Sequence, residues 1–188
     1  MPGPMTDTSH PSETVALPRY GAQLAFVRAM LPILGGLLEA GSAVDPVVQR
    51  EIESLPAGLV FGMTVFGTDA KIRLTRRDGR FVQLDPQTAP PPTLDIVFKH
   101  VSVAFLVVSF QESTALAFAR GRLVVHGDTA LAMRITRCLD RMEAVTLPGP
   151  IATRALKEVP HIPLGERLPL AARYYAAAAA SAARGRVS

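Results

Sequence analysis

The sequence predicts an α+β fold in which a five-stranded, largely antiparallel sheet is covered by helices. Three observations lead there. Apolar residues recur at helical spacing over residues 22–55, switch to a period of two over residues 59–98, and return to a helical period after residue 128.

Taken in order, Leu24, Val27, Leu31, Leu34 and Leu38 fall on one face of a first helix. It is expected to kink at Pro32 and to end near the glycines of "LGGLLEAG". A second helix starts at Asp45, whose side chain can cap exposed backbone N–H groups, with Pro46 where a missing N–H costs nothing; it runs to about Leu55. "LVFGMTVF" (Leu59 to Phe66) reads as a strand covered on both faces. "KIRLTR" (Lys71 to Arg76) alternates, with Ile72 and Leu74 inward and Lys71, Arg73 and Thr75 in water. Asp78-Gly79 suits a two-residue hairpin turn into "FVQLD" (Phe81 to Asp85), and after a proline loop (Pro86 to Pro92) "TLDIVF" gives a fourth strand. These four strands are expected to form a meander.

The next segment reads as a helix from His100 to Phe110, a "QES" link and a helix from Ser113 to Ala119. Its valines and phenylalanines would suit a strand equally by propensity, so its length decides. "RLVVH" (Arg122 to His126) is the fifth strand, Gly127 the turn, and Asp128 the cap of a long helix striped by Leu131, Ile135, Cys138, Leu139 and Met142. Beyond a Pro/Gly-rich connector (residues 148–165), alanine-rich "LPLAARYYAAAAASAARGR" predicts a helix from about Leu170 to Ala183 with a shallow face around Tyr174 and Tyr175. Residues 1–18 read as a disordered leader, residues 19–147 as the domain and residues 148–188 as its basic tail.

A chain of 188 residues fits one domain plus tails, and 48% hydrophobic against 19% charged residues, with a mean hydropathy of +0.24, leaves more apolar surface to hide than usual. The best uninterrupted apolar stretch, Ala22 to Leu38, is broken by Gln23, Arg28 and Pro32, short of the roughly 20 residues a bilayer span needs. The polar start "MPGPMTDTSHPSET" lacks the basic and apolar regions of a secretory signal. With one cysteine, Cys138, no internal disulfide or cysteine metal cluster can form, and a reducing cytoplasm is the expected address. The net charge of +4 lies in residues 151–188, where six Lys/Arg face only Glu158 and Glu166.

The strand-Gly-Asp-helix junction "VVHGDT" is the first place to look for chemistry. A helix N-terminus attracts anions, but Asp128 already occupies it, and neither a Gly-rich loop nor a lysine is there to hold a phosphate. His126 and Asp128 have no nucleophile beside them, and His10, His100, His126 and His161 show no paired metal spacing. Cys138 lies on an apolar stripe, where a buried structural thiol is the default, although Arg134, Arg137 and Arg141 share its helix. Few aromatics and a charge-balanced body speak against nucleic acid as a partner, and "RLTRRDGR" is a hairpin turn rather than a groove-reading helix. What stands out is "VSVAFLVVSF", apolar nearly all round. It either lies buried between sheet and helices or lines an apolar cavity able to take a lipid.

Residues 93–145 carry a further signal. Phe118, Gly121, Arg122, Leu123, Val125, Gly127, Asp128, Leu131, Ala132, Met133 and Ile135 stand at the places of the run F-x-x-G-K/R-L-x-h-x-G-D-x-x-L-A-h-x-h, where h is apolar. In this run, and over roughly residues 57–147, the chain resembles the sterol-carrier-protein family of lipid-binding domains. "RLVVHGDT" and "DRMEAVTLP" look especially like bacterial members that assist ubiquinone biosynthesis. The resemblance implies an α+β sheet-and-helix fold around an apolar tunnel, with Gly121, Gly127 and Asp128 as fold signature rather than catalytic residues. It also implies a non-enzymatic role with no cofactor: an isoprenoid quinone precursor, sterol, fatty acyl chain or phospholipid is carried rather than chemically changed. The expected ligand-binding residues are Phe98, Val101, Phe105, Val108, Leu116, Phe118, Leu131 and Ile135. The basic tail is expected to lid the cavity or meet an anionic membrane surface. The alternative is an accessory factor acting mainly through contacts with biosynthetic enzymes. The two helices before the first strand, the proline loop and the tail fall outside the motif.

Overall fold

The computed structural model describes residues 17–147 and 162–184, so the expected leader lies almost wholly outside the described residues, as does most of the Pro/Gly connector. The elements run α1 (Leu17–Val44), α2 (Pro46–Glu53), β1 (Val60–Val65), β2 (Lys71–Arg77), β3 (Arg80–Leu84), β4 (Leu94–Phe98), α3 (Val101–Val108), α4 (Thr114–Ala119), β5 (Leu123–His126), α5 (Thr129–Thr146) and α6 (Leu164–Arg184). The fold is α+β, as the sequence predicts, with five strands in one sheet.

The strand order is β3-β2-β1-β4-β5. β1, β2 and β3 are antiparallel neighbours, and the β2–β3 turn places Asp78 and Gly79 at φ 50° and 74°. The expected meander stops there. β4 lies parallel to β1, with Phe61 opposite Leu94 and Val65 opposite Phe98, and β5 closes the other edge antiparallel to β4. A parallel partner requires the chain to return across the sheet, which usually takes a dozen residues or more. Here residues 85–93 suffice. Pro90 to Pro92 hold φ near −65° and favour an extended path, and nine residues can reach about 30 Å.

Phe61, Met63, Val65, Ile72, Leu74, Leu94, Ile96, Phe98 and Leu123 share one sheet face and join Val27, Leu31, Val48, Ile52, Val108, Ile135 and Met142 from the helices in a single core. The opposite face corrects one expectation. Arg73 is buried at 8% exposure instead of standing in water, because Gly62 beside it has no side chain and Asp95 lies across from it. The guanidinium donates to the Thr64 hydroxyl at 2.9 Å, the hydroxyl donates to Asp95, and the Arg73–Asp95 ion pair spans 3.7 Å. Burial still pushes the Asp95 carboxyl up, against the opposing pull of Thr64 and Arg73.

α1 does not end at its glycines but continues to Val44, with Pro32 inside it. Isolated-helix propensity disfavours glycine by about 1 kcal/mol each, so contacts must hold this segment helical. The contacts are close ones: a Cβ on Gly35 would lie 3.0 Å from Gln83 Cδ, and one on Gly41 would lie 2.6 Å from Tyr174 Cε1. The same turns of α1 protect the edge strand. Phe81 N–H donates to Ser42 Oγ at 3.0 Å and Gln83 N–H to Glu39 Oε2 at 2.9 Å, which satisfies two outward donors of β3 that would otherwise invite another strand. By length and composition alone Arg19–Val44 of α1 would also suffice to cross a bilayer, despite Gln23, Arg28 and Pro32 within it. Its stripe of Val27, Leu31, Leu34 and Leu38 is packed into the core.

α2 is capped as its sequence predicts, Asp45 accepting from the Val47 N–H at 2.8 Å with Pro46 at the first helical position. α6 begins earlier than expected, at Leu164, and packs against α1 and α5. Tyr174 is fully buried, Ser181 donates to Glu39, and Tyr175 Oη donates to the Thr146 carbonyl at 3.0 Å.

Candidate functional site: an apolar cavity between the sheet and two helices

The Gly127–Asp128 junction sets how β5 hands over to α5. Gly127 has φ 116°, and a Cβ there would lie 2.5 Å from the Thr93 carbonyl oxygen, so only glycine lets this corner sit against the start of β4. Asp128 accepts from the Ala130 N–H at 2.6 Å and caps α5. Gly121, at φ 66°, makes the tight exit from α4 into β5. These residues are scaffold in their geometry: they fix α4, β5 and α5 around a common space.

That space is a cavity of about 220 Å³, lined by Ile96, Thr114, Ala115, Phe118, Leu123, Val125, Thr129, Ala132, Met133 and Thr136. Ile96, Leu123 and Val125 come from the core face of β4 and β5, where Ile96 pairs with Val125. Ala132, Met133 and Thr136 come from one side of α5, and Thr114, Ala115 and Phe118 from α4. Depth follows burial. Ile96, Leu123, Ala132 and Thr114 are buried, whereas Ala115, Phe118, Thr129 and Met133 are exposed and form the mouth. Polar groups on the wall are three threonine hydroxyls, of which Thr136 already donates to the Ala132 carbonyl at 3.0 Å. Among the described residues no charged side chain is on the wall.

Of the eight expected ligand-binding residues, Phe118 stands on this wall. Leu116, on the same helix, is exposed. Phe98, Val101, Val108 and Ile135 are buried in the core, Leu131 is half-buried against it, and Phe105 packs edge-on to Phe26 with ring centroids 5.3 Å apart. Val101, Val103, Ala104, Val107 and Val108 of α3 are buried, and α3 contributes no residue to the wall of this cavity. Sequence reasoning missed Ile96, Leu123, Val125, Ala132, Met133 and Thr136. The signal available was that α4, β5 and the start of α5 are consecutive, with short links, so their facing residues must enclose whatever space lies between them.

The other candidates for chemistry are engaged structurally. Cys138 is buried, and burial pushes its thiol up to about 12. The three arginines of α5 are paired away from it. Arg134 and Arg137 donate to Glu51 of α2, whose carboxyl they hold low, and Arg141 Nε donates to Asp45 Oδ2 at 2.8 Å. His126 is exposed at the strand end. Among the described residues no group of three or more His, Cys, Asp or Glu side chains is placed to hold a metal. Among the described residues none of α6 is on this wall; α6 packs on α1 and α5.

Among solved structures the chain is similar to two proteins at low sequence identity. It is similar to a protein described as "UbiJ-SCP2 Ubiquinone synthesis protein", with 15% identity over 64% of this chain and 98% of that one at a TM-score of 0.44. It is also similar to Sterol Carrier Protein 2 Like 2 from Aedes aegypti, with 10% identity over 52% of this chain and 94% of that one at a TM-score of 0.31. No protein-family model and no curated protein matches the chain.

Proposed function

We propose that this protein binds an apolar molecule non-enzymatically in the cavity between β4–β5 and α4–α5. The observation that carries the proposal is the wall itself: among the described residues it holds no charge, and it runs from buried Ile96, Leu123 and Ala132 to exposed Phe118 and Met133. Such a site binds by desolvation. Each CH₂ removed from water contributes on the order of 0.8 kcal/mol, so a hydrocarbon needs no charged anchor. The motif over residues 118–135 supports the same reading, since its glycines and aspartate shape the corner around this space. The resemblance of "RLVVHGDT" to bacterial members that assist ubiquinone biosynthesis supports, as an alternative, an accessory factor acting mainly through contacts with biosynthetic enzymes.

The test is displacement of a fluorescent fatty acid from the purified protein and from Ala132→Phe, which fills the buried end. We expect saturable binding by the wild type and a loss of at least tenfold in the variant. Equal binding by both, with the variant's unfolding midpoint unchanged, would place any ligand elsewhere and overturn the assignment.

A further inference from the structure

The size of the cavity, its wall chemistry and the burial of its lining point beyond an apolar ligand to one shape of ligand. On the reading that this cavity is the binding site, we propose that it selects a single flexible hydrocarbon chain, inserted tail first, with the polar head held outside between Phe118 and Met133, and that it excludes a fused-ring sterol nucleus.

The volume sets the limit. An apolar cavity of about 150 Å³ is enough for benzene, six carbons, so about 220 Å³ accommodates on the order of nine carbons. A four-ring nucleus has roughly twice that number before any side chain is added. The walls are poorly placed to widen for it. Ile96 lies on β4 between β1 and β5, Leu123 pairs with Phe98 across β4 and β5, and Ala132 is buried in the first turn of α5, so a rigid ring system would have to overpack a close-packed interior.

Orientation follows from what the buried end lacks. Ile96, Leu123 and Ala132 offer no side-chain donor, and Thr114 offers only one hydroxyl, so a carboxylate or phosphate placed there would lose its hydration without replacement. At the mouth, Ala115, Phe118, Thr129 and Met133 are exposed to water, and the head can keep its hydration there. Phe118 and Met133, both about half exposed at 47% and 52%, cover the first carbons of the chain. Acyl and prenyl chains share this chemistry.

The experiment is competition against a bound fluorescent fatty acid by saturated fatty acids of six to sixteen carbons, by geraniol and farnesol, and by cholesterol. Affinity is expected to rise roughly fourfold per added CH₂ up to about nine carbons beyond the head and then flatten. Cholesterol is expected to compete at least tenfold more weakly than the chains. Met133→Glu, at a position 52% exposed, is expected to weaken a fatty acid severalfold more than the alcohol of equal length, with its unfolding midpoint measured alongside, because the new carboxylate faces the anionic head. Cholesterol competing as well as the best chain, a slope that continues unbroken to sixteen carbons, or a Met133→Glu effect equal for acid and alcohol would overturn this inference while leaving the apolar-binding proposal standing. Failure of every chain and of cholesterol to bind would overturn both.

Discussion

Tyr174 Oη donates to Asp45 Oδ2 at 3.2 Å, with both side chains fully buried and 129 residues apart in sequence. Asp45 also accepts from the Val47 N–H at the start of α2 and from Arg141 Nε of α5. One carboxylate therefore ties α2, α5 and the tail helix α6 together. The neighbouring phenol is correspondingly pushed up, by burial first and by the Asp45 charge second. The tail is thus part of the packed body, although its alanine-rich sequence reads as a shallow surface helix.

Removing either partner should be costly in different amounts. Tyr174→Phe leaves Asp45 with its other two donors and is expected to lower stability by about 1 kcal/mol. Asp45→Ala removes the α2 cap and strands Arg141, and is expected to cost about 3 kcal/mol or more. Urea denaturation of the full chain measures both, and equal small effects would contradict the hub.

Two glycines of α1 should respond to alanine with opposite signs. At Gly21 a Cβ would meet nothing within 4 Å, so Gly21→Ala is expected to stabilise by up to about 1 kcal/mol. At Gly41 the new Cβ would lie 2.6 Å from the Tyr174 ring, and Gly41→Ala is expected to destabilise by about 1 to 3 kcal/mol despite alanine's better propensity. Thermal midpoints of the two variants decide it, and a stabilised Gly41→Ala would show that α6 does not pack as described.

Glu143 gives stability an unusual pH dependence. Its carboxyl is pushed up to about 8, by burial first and by Asp140 second. Since the folded value lies above the ordinary 4.5, the folded chain retains a proton that the unfolded chain has released between those values. Stability from this group is full below about 4.5 and is lost as pH rises through about 8. Glu143→Gln keeps a neutral group there and is expected to match the wild type near pH 4 and exceed it by at least about 1 kcal/mol near pH 9, read from urea midpoints at the two pH values. An identical gap at both would contradict the assignment.

Cys138 should be inert in the folded protein. Burial together with a thiol pushed up to about 12 leaves almost no accessible thiolate, so iodoacetamide at pH 8 is expected to label it only in urea. Rapid labelling of the native chain would contradict this placement.

The sequence made local chemistry legible and distant contacts illegible. The Asp45–Pro46 start of α2, the Asp78-Gly79 hairpin and the Gly127–Asp128 corner are each decided by a few neighbouring residues, and each stands where its residues predict. The glycines of α1 misled because their helical state depends on Gln83 and Tyr174, far along the chain. Alternation places Arg73 on the outward face but does not report that Gly62 and Asp95 on neighbouring strands make a pocket for it there. The parallel β1–β4 pairing escaped because short links ordinarily join antiparallel neighbours. Of the cavity wall the sequence motif marks Phe118, while small residues such as Ala115 and Ala132 carry no hydrophobic bulk to signal the open space they border.

The most direct test of the central claim is native mass spectrometry of the purified full chain, before and after addition of dodecanoic acid, followed by organic extraction of any retained molecule. The account predicts one apolar molecule per chain, either retained through purification or taken up on addition and lost in Ala132→Phe. Protein that is recovered empty and stays empty at saturating dodecanoic acid would contradict it.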